Sequence, residues 1–140
     1  MKEKLHWVIF WVLVGIFVVI VSVLFVPAFR ESLVNFLFVI ISGILFFLLG
    51  AALIFLTVKG KVRGTLKKFL ILTGASSAGL SVSSFLHNII YGLFIQLFGA
   101  DFWDRIGLGD EPFFFVMAVI VCPIAFLVGA VGSVVLAIKK

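Results

Sequence analysis

The sequence predicts an all-α protein, a bundle of four antiparallel transmembrane helices with the third helix at its centre. Three observations support this prediction: 64% of the 140 residues are hydrophobic, only 12% are charged, and the apolar residues form four continuous runs. A soluble domain of this length has too few buried positions for so many apolar side chains, so lipid must solvate most of them. The runs also lack the apolar–polar alternation of membrane β-strands.

Each apolar run is long enough to cross the roughly 30 Å hydrocarbon core as a helix, which takes about 20 residues. The predicted spans cover about residues 7–26, 34–58, 69–98 and 113–138 of a single domain, residues 1–140. Pro27 ends the first span, because proline has no N–H for a helical hydrogen bond. We expect this span to be retained, since its apolar core is longer than that of a signal peptide and no small-residue cleavage site follows.

The basic residues predict the orientation of the chain. Nine lie on the side that holds both termini and the second loop, whereas only Arg30 and Arg105 lie on the other side. The nine are Lys2, Lys4, Lys59, Lys61, Arg63, Lys67, Lys68, Lys139 and Lys140. Because cytoplasmic segments carry the excess of basic residues, we expect a cell-membrane protein with both termini in the cytoplasm. This topology accounts for the net charge of +5 without nucleic acid as a partner.

The loop before the fourth span, GADFWDRIGLGDEP, is acidic. Asp110 and Glu111 suit the start of the helix that follows, where unpaired amides and the helix dipole favour negative charge. Asp101 and Asp104 have no such explanation. We therefore treat these two aspartates as candidates for attracting cations to the outer surface.

The third span carries many polar residues for a membrane helix. On an ideal helix, one face collects a group that we call the polar stripe. Its members are Thr73, Ser77, Ser81, Ser84, His87, Asn88 and Tyr91, with Ser76 and Ser83 beside them. An unsatisfied polar group in hydrocarbon costs several kcal/mol, so the polar stripe should face other helices or a water-filled cavity.

Two explanations of the polar stripe stay open. In the first, its hydroxyls bond to carbonyls four residues earlier, and its small side chains let helices pack closely. In the second, the stripe pairs with its own copy or lines water, because the other spans offer few polar side chains. Those side chains are Ser22, Asn35, Ser42, Thr57, Cys122 and Ser133. We therefore expect the partners to be the lipid bilayer and either a second copy or another membrane protein.

His87 is the readily titratable residue within the four apolar runs, and such residues are functional candidates. It can serve in packing, in a site for a polar ligand or cation with Asn88 and Tyr91, or as a metal ligand. A metal site needs three or four ligands, which one histidine with distant carboxylates does not supply. The sequence therefore predicts no metal site, and no other motif indicates a cofactor.

The fourth span carries Ala125, Gly129 and Ser133 at four-residue spacing, which is typical of close helix packing. No hydrolase, metalloprotease, P-loop or dinucleotide motif occurs. The leading hypothesis is a non-enzymatic membrane protein that works by assembly. The alternatives are a small oligomeric channel or carrier lined by the polar stripe, and an intramembrane enzyme or receptor that uses His87, Asn88 and Tyr91 for a lipophilic ligand.

Overall fold

The structure of the protein, a computed structural model, describes residues 2–33 and 36–139, with the side chains of residues 4–31 and 36–139. Within these ranges all regular elements are helical, and the predicted all-α membrane bundle is confirmed. Three residues used in the sequence predictions lie outside the described ones. They are Val34, the predicted start of the second span, Asn35, a predicted partner of the polar stripe, and Lys140.

The described chain forms seven α-helices and one π-helical turn. They are α1 (Lys2–Phe25), α2 (Pro27–Leu33), α3 (Phe36–Lys59), α4 (Gly64–Phe98), α5 (Phe102–Arg105), α6 (Pro112–Val116), the π-helical turn (Met117–Val121) and α7 (Cys122–Ile138). Four stretches of the described chain are long and apolar enough to cross a membrane: Lys4–Phe25, Phe36–Lys59, Gly64–Phe98 and Pro112–Ile138. The lysine-rich loop lies at one end of the bundle, the basic end, and the loop of residues 99–111 lies at the other, the acidic end.

The third span begins earlier than its composition suggests. The apolar run predicts a start at about residue 69, whereas α4 begins at Gly64. Leu66 and Leu70 are both buried in the core, so the buried face of the helix continues past the neighbouring lysines. The lysines mark the end of the apolar run, but the helix extends as far as its side chains still pack in the core.

α4 lies at the centre of the bundle, with α3 and α7 packed along it. α1 packs on α3 and reaches α7 through aromatic side chains. The ring centroid of Phe17 lies 4.3 Å from that of Phe126 and 6.4 Å from that of Phe46. These three rings form the middle of a core that also contains Phe10, Leu13, Leu53, Leu66, Leu70 and Ala130.

Glycines set the closest helix contacts. A Cβ atom built on Gly50 would lie 2.6 Å from the carbonyl oxygen of Gly74, and one built on Gly74 would lie 2.6 Å from that of Gly50. On the other side of α4, a Cβ atom on Gly129 would lie 2.6 Å from Thr73 Oγ1. Gly129 and Ser133 are buried and Ala125 is half-buried, so the small-residue face of the fourth span packs against α4 of the same chain.

The fourth span changes its helical geometry near Pro123. The N–H of Cys122 donates to the carbonyl of Met117, five residues earlier, which closes the π-helical turn. Pro123 follows at once, and because it has no N–H it leaves one carbonyl of the preceding turn without a helical donor. The π-helical turn therefore lies where the proline interrupts the hydrogen bonds of the span.

The glycine contact between α3 and α4 predicts a large effect of a single methyl group. We expect Gly50→Ala to lower the free energy of unfolding by about 1–3 kcal/mol, the usual cost of overpacking, because the opposing atom is a backbone oxygen. Gly92→Ala is the matched control, since a Cβ atom there meets nothing within 4 Å. Unfolding in mixed detergent measures both variants. Equal stability of the two would contradict the close contact.

Candidate functional site

Near the basic end, hydroxyls of the polar stripe bond within their own helix. Thr73 Oγ1 donates to the Phe69 carbonyl at 2.9 Å, and Ser76 Oγ donates to the Leu72 carbonyl at 2.6 Å. Both side chains are buried. This is the four-residue back-bonding that lets serine and threonine enter an apolar environment.

In the middle of α4, two hydroxyls of the stripe reach the neighbouring helix. Ser77 Oγ donates to the Phe46 carbonyl at 2.5 Å, and Ser81 Oγ donates to the Gly43 carbonyl at 2.9 Å. A carbonyl oxygen has two lone pairs, so a helical carbonyl can accept a second hydrogen bond. A count of the polar side chains on the other spans underestimates the available hydrogen-bond acceptors, because backbone carbonyls of α3 also accept. Ser77 and Ser81 therefore need neither a second copy nor water.

Toward the acidic end the stripe becomes more exposed. Ser83 is buried within hydrogen-bonding reach of the Cys122 thiol, whereas Ser84 is half-buried. Asn88 is exposed, and its Nδ2 donates to the Ser84 carbonyl at 2.8 Å. The polar stripe is thus buried at Thr73 and Ser77, exposed at Asn88, and half-buried at its remaining members.

His87 lies opposite the start of α6, where it meets two carboxylates. Its Nδ1 lies 3.1 Å from Glu111 Oε2, and its Nε2 lies 3.6 Å from Asp110 Oδ1. We call these three residues the His87 cluster. With a proton on Nδ1 the ring donates a hydrogen bond to Glu111, so the cluster ties α4 to the fourth span.

Glu111 is the most enclosed carboxylate of the cluster, with 4% of its surface exposed. Its oxygens accept hydrogen bonds from the backbone N–H of Phe113 at 2.8 Å and of Phe114 at 3.0 Å, which caps α6. Burial raises the pKa of the Glu111 carboxyl, but the hydrogen bonds from His87 and from these amides outweigh burial and hold the pKa below its ordinary value. Glu111 is therefore a carboxylate at neutral pH.

Aromatic rings enclose the cluster and continue beyond it. The His87 ring lies 5.7 Å from Phe115 and 6.2 Å from Tyr91. Tyr91 stacks on Trp103 at 5.9 Å, and the indole N–H of Trp103 donates to the Tyr91 carbonyl at 3.2 Å. Successive ring contacts define a group that we call the aromatic cap: Tyr91, Phe94, Phe98, Phe102 and Trp103.

The two aspartates that the sequence singles out lie apart from His87. Asp101 Oδ2 lies 3.4 Å from Arg105 Nε in an exposed ion pair, and Asp104 is exposed on the short helix α5. The partners of His87 are instead the two acidic residues that the sequence explains as a helix start. Glu111 both caps α6 and contacts His87, because Oε1 accepts from the Phe113 N–H while Oε2 lies beside the imidazole.

The sequence contains a signal for this pairing. The fourth span returns antiparallel to the third, so its start must lie toward the acidic end of α4, where His87 falls. Among the described residues no group of three or more His, Cys, Asp or Glu side chains is arranged to hold a metal ion. Comparisons of the chain with models of protein families, with curated proteins and with solved structures find no match.

The buried stripe predicts the accessibility of single cysteines in a Cys122→Ala background. Ser77→Cys should resist a membrane-impermeant thiol reagent in intact membranes, because Ser77 is fully buried against α3. Asn88→Cys, at the exposed end of the stripe, should be labelled from the side of the acidic loop. Labelling after denaturation controls for the amount of protein. Rapid labelling of Ser77→Cys in membranes would instead indicate a water-filled path along the stripe.

The Glu111 carboxylate predicts how stability depends on pH. Its folded pKa is below the ordinary value of 4.5, so its stabilising contribution is present above about pH 4.5 and is lost as the pH falls through the folded pKa. We expect Glu111→Gln to lower the free energy of unfolding at neutral pH and to reduce its fall in acid. The exposed Asp104→Asn is the control, and detergent unfolding at several pH values is the measurement. An unchanged acid slope in Glu111→Gln would contradict the assignment.

Proposed function

We propose that the protein is a non-enzymatic subunit of a membrane assembly and that it docks a protein partner through the outer end of α4. The supporting observation is an apolar surface around the aromatic cap that extends past the other three spans. The excess of basic residues at the opposite end supports an orientation in which the cap lies outside the cell and both termini lie in the cytoplasm.

The register of the helices shows how far α4 projects. Gly43 lies opposite Ser81 and Gly50 lies opposite Gly74, so the described start of α3, Phe36, is level with Asn88. The fourth span begins at the same level, where Glu111 meets His87. The ten residues 89–98 continue beyond this level, for about 15 Å at 1.5 Å per residue.

If the hydrocarbon core begins at the lysines of the basic end, the projecting part of α4 extends beyond it. Twenty residues separate Lys68 from Asn88, a rise of about 30 Å, which equals the thickness of the core. Leu97 and Phe98 lie beyond this segment with 64% and 54% of their surfaces exposed. Leu93, Ile106 and Leu108 are also exposed. Large apolar side chains outside the hydrocarbon mark an interaction surface.

The charge around this surface favours a protein over a lipid surface. The loop and the short helix α5 carry Asp101, Asp104, Asp110 and Glu111 against Arg105. This excess of negative charge repels anionic headgroups. It also disfavours contact between the caps of two copies, because like charges would face each other. The partner that fits is a second protein with an apolar centre and a basic rim.

The other two hypotheses have less support. A channel along the polar stripe needs accessible hydroxyls, whereas Ser77 and Ser81 bond to α3. A ligand site at His87 needs a free ring nitrogen, whereas Nδ1 and Nε2 both face carboxylates. The assembly hypothesis uses a surface that the chain itself leaves uncovered.

Photo-crosslinking in native membranes tests the docking surface. A photoreactive residue at Leu97 or Ile106 should capture one and the same protein, whereas one at Ala75, exposed on α4 within the hydrocarbon, should not. Replacing Asp101 and Asp104 with lysine should strongly reduce the capture, because it removes the charge complementarity. Capture of lipid alone, or of a second copy of the chain, would overturn docking of a different protein.

A further inference from the structure

A lateral groove separates the middle of α1 from the first half of α3. It has a volume of about 530 Å³ and is lined by these two helices alone, including Gly15, Ile16 and Val19 of α1 and Phe38, Ile41 and Ser42 of α3. A Cβ atom built on Gly15 meets nothing within 4 Å, so the missing side chain contributes to the space. The groove is therefore an open cleft along the side of the bundle.

The lining of the groove suits an acyl chain. Ser42 is the one polar side chain in the lining, and its hydroxyl already donates to the Val39 carbonyl at 3.1 Å. On α1 the lining runs from Val12 to Ile20, across the level of Phe17, and on α3 it runs from Phe38 to Leu45, on the Phe36 side of Phe46, so the groove extends from the middle of the bundle toward the end of the helices at Phe25 and Phe36. At this depth the solvent is hydrocarbon, so the occupant that fits is a lipid tail.

A cation lies at the end of the same pair of helices. The helix α2 lies between α1 and α3 in the chain and carries Arg30. Arg30 is exposed and forms no ion pair with a described residue. The other arginine at this end, Arg105, is already engaged by Asp101 and donates to the Phe98 carbonyl at 2.5 Å. A guanidinium matches the geometry of a phosphate, and lipid phosphates lie where the membrane spans end.

We propose that this groove is a binding site for a glycerophospholipid of the outer leaflet, with one acyl chain between α1 and α3 and the phosphate on Arg30. Glu31, next to Arg30, lowers the local positive charge, which favours a zwitterionic headgroup such as phosphatidylethanolamine over one with several negative charges. The site is independent of the aromatic cap, because it uses the opposite pair of helices and a different loop.

Native mass spectrometry of the detergent-purified full chain, titrated with phosphatidylethanolamine, tests this site. Gly15→Leu fills the groove and Arg30→Gln removes the cation. Each should weaken retention of the lipid by about tenfold, which for Arg30→Gln is the equivalent of one charged hydrogen bond. Gly92→Leu and Arg105→Gln are the matched controls and should retain the lipid like the parent chain. Gly92, like Gly15, has nothing within 4 Å of a built Cβ atom.

Three results would overturn the proposal. The first is equal retention by Gly15→Leu, Arg30→Gln and their controls. The second is equal retention of a diacylglycerol, which has no phosphate. The third is displacement of the lipid by inorganic phosphate, which would mean that the acyl chain contributes nothing.

Discussion

The close contact between Gly50 and Gly74 is the constraint on which the rest of the bundle depends. Helices in lipid gain no hydrophobic free energy by associating with one another, so packing and hydrogen bonds must hold them together. Two facing glycines bring the backbones of α3 and α4 close enough for Ser77 to reach the carbonyl of Phe46. Any side chain at Gly50 would move α3 away, so that Ser77 would lose the Phe46 carbonyl and Ser81 would keep only the Ser77 carbonyl of its own helix.

A similar close contact, between Gly129 of α7 and Thr73 of α4, helps to set the register of the acidic end. With α3 and α7 held along α4, His87 lies level with the start of the fourth span, where Glu111 caps α6 and receives the imidazole. Burying the Glu111 carboxylate is unfavourable, and its hydrogen bonds offset that cost. Beyond this level α4 continues past the other spans, and Phe102 and Trp103 of α5 pack against its aromatic rings.

The surfaces of the molecule divide by the solvent that each one meets. Apolar side chains on the spans face hydrocarbon and need no partner, and the groove beside Gly15 is suited to one lipid tail. Leu97 and Phe98 are equally apolar, but the proposed placement puts them beyond the hydrocarbon in an acidic setting. The inference of a protein partner rests on this mismatch between side chain and solvent.

The sequence by itself determined the number of spans, their approximate bounds and the segregation of polar residues onto one face of the third span. Hydropathy, length and helical periodicity are local properties, so they can be read without knowledge of neighbouring helices. The sequence also indicated His87 as a candidate, but it explained Asp110 and Glu111 only as the start of a helix. Only the tertiary structure decided that carbonyls of α3 satisfy Ser77 and Ser81 and that Glu111 and Asp110 meet His87. Every residue has a carbonyl, so composition cannot mark which one accepts a bond, and register depends on glycine contacts that join residues distant in the chain.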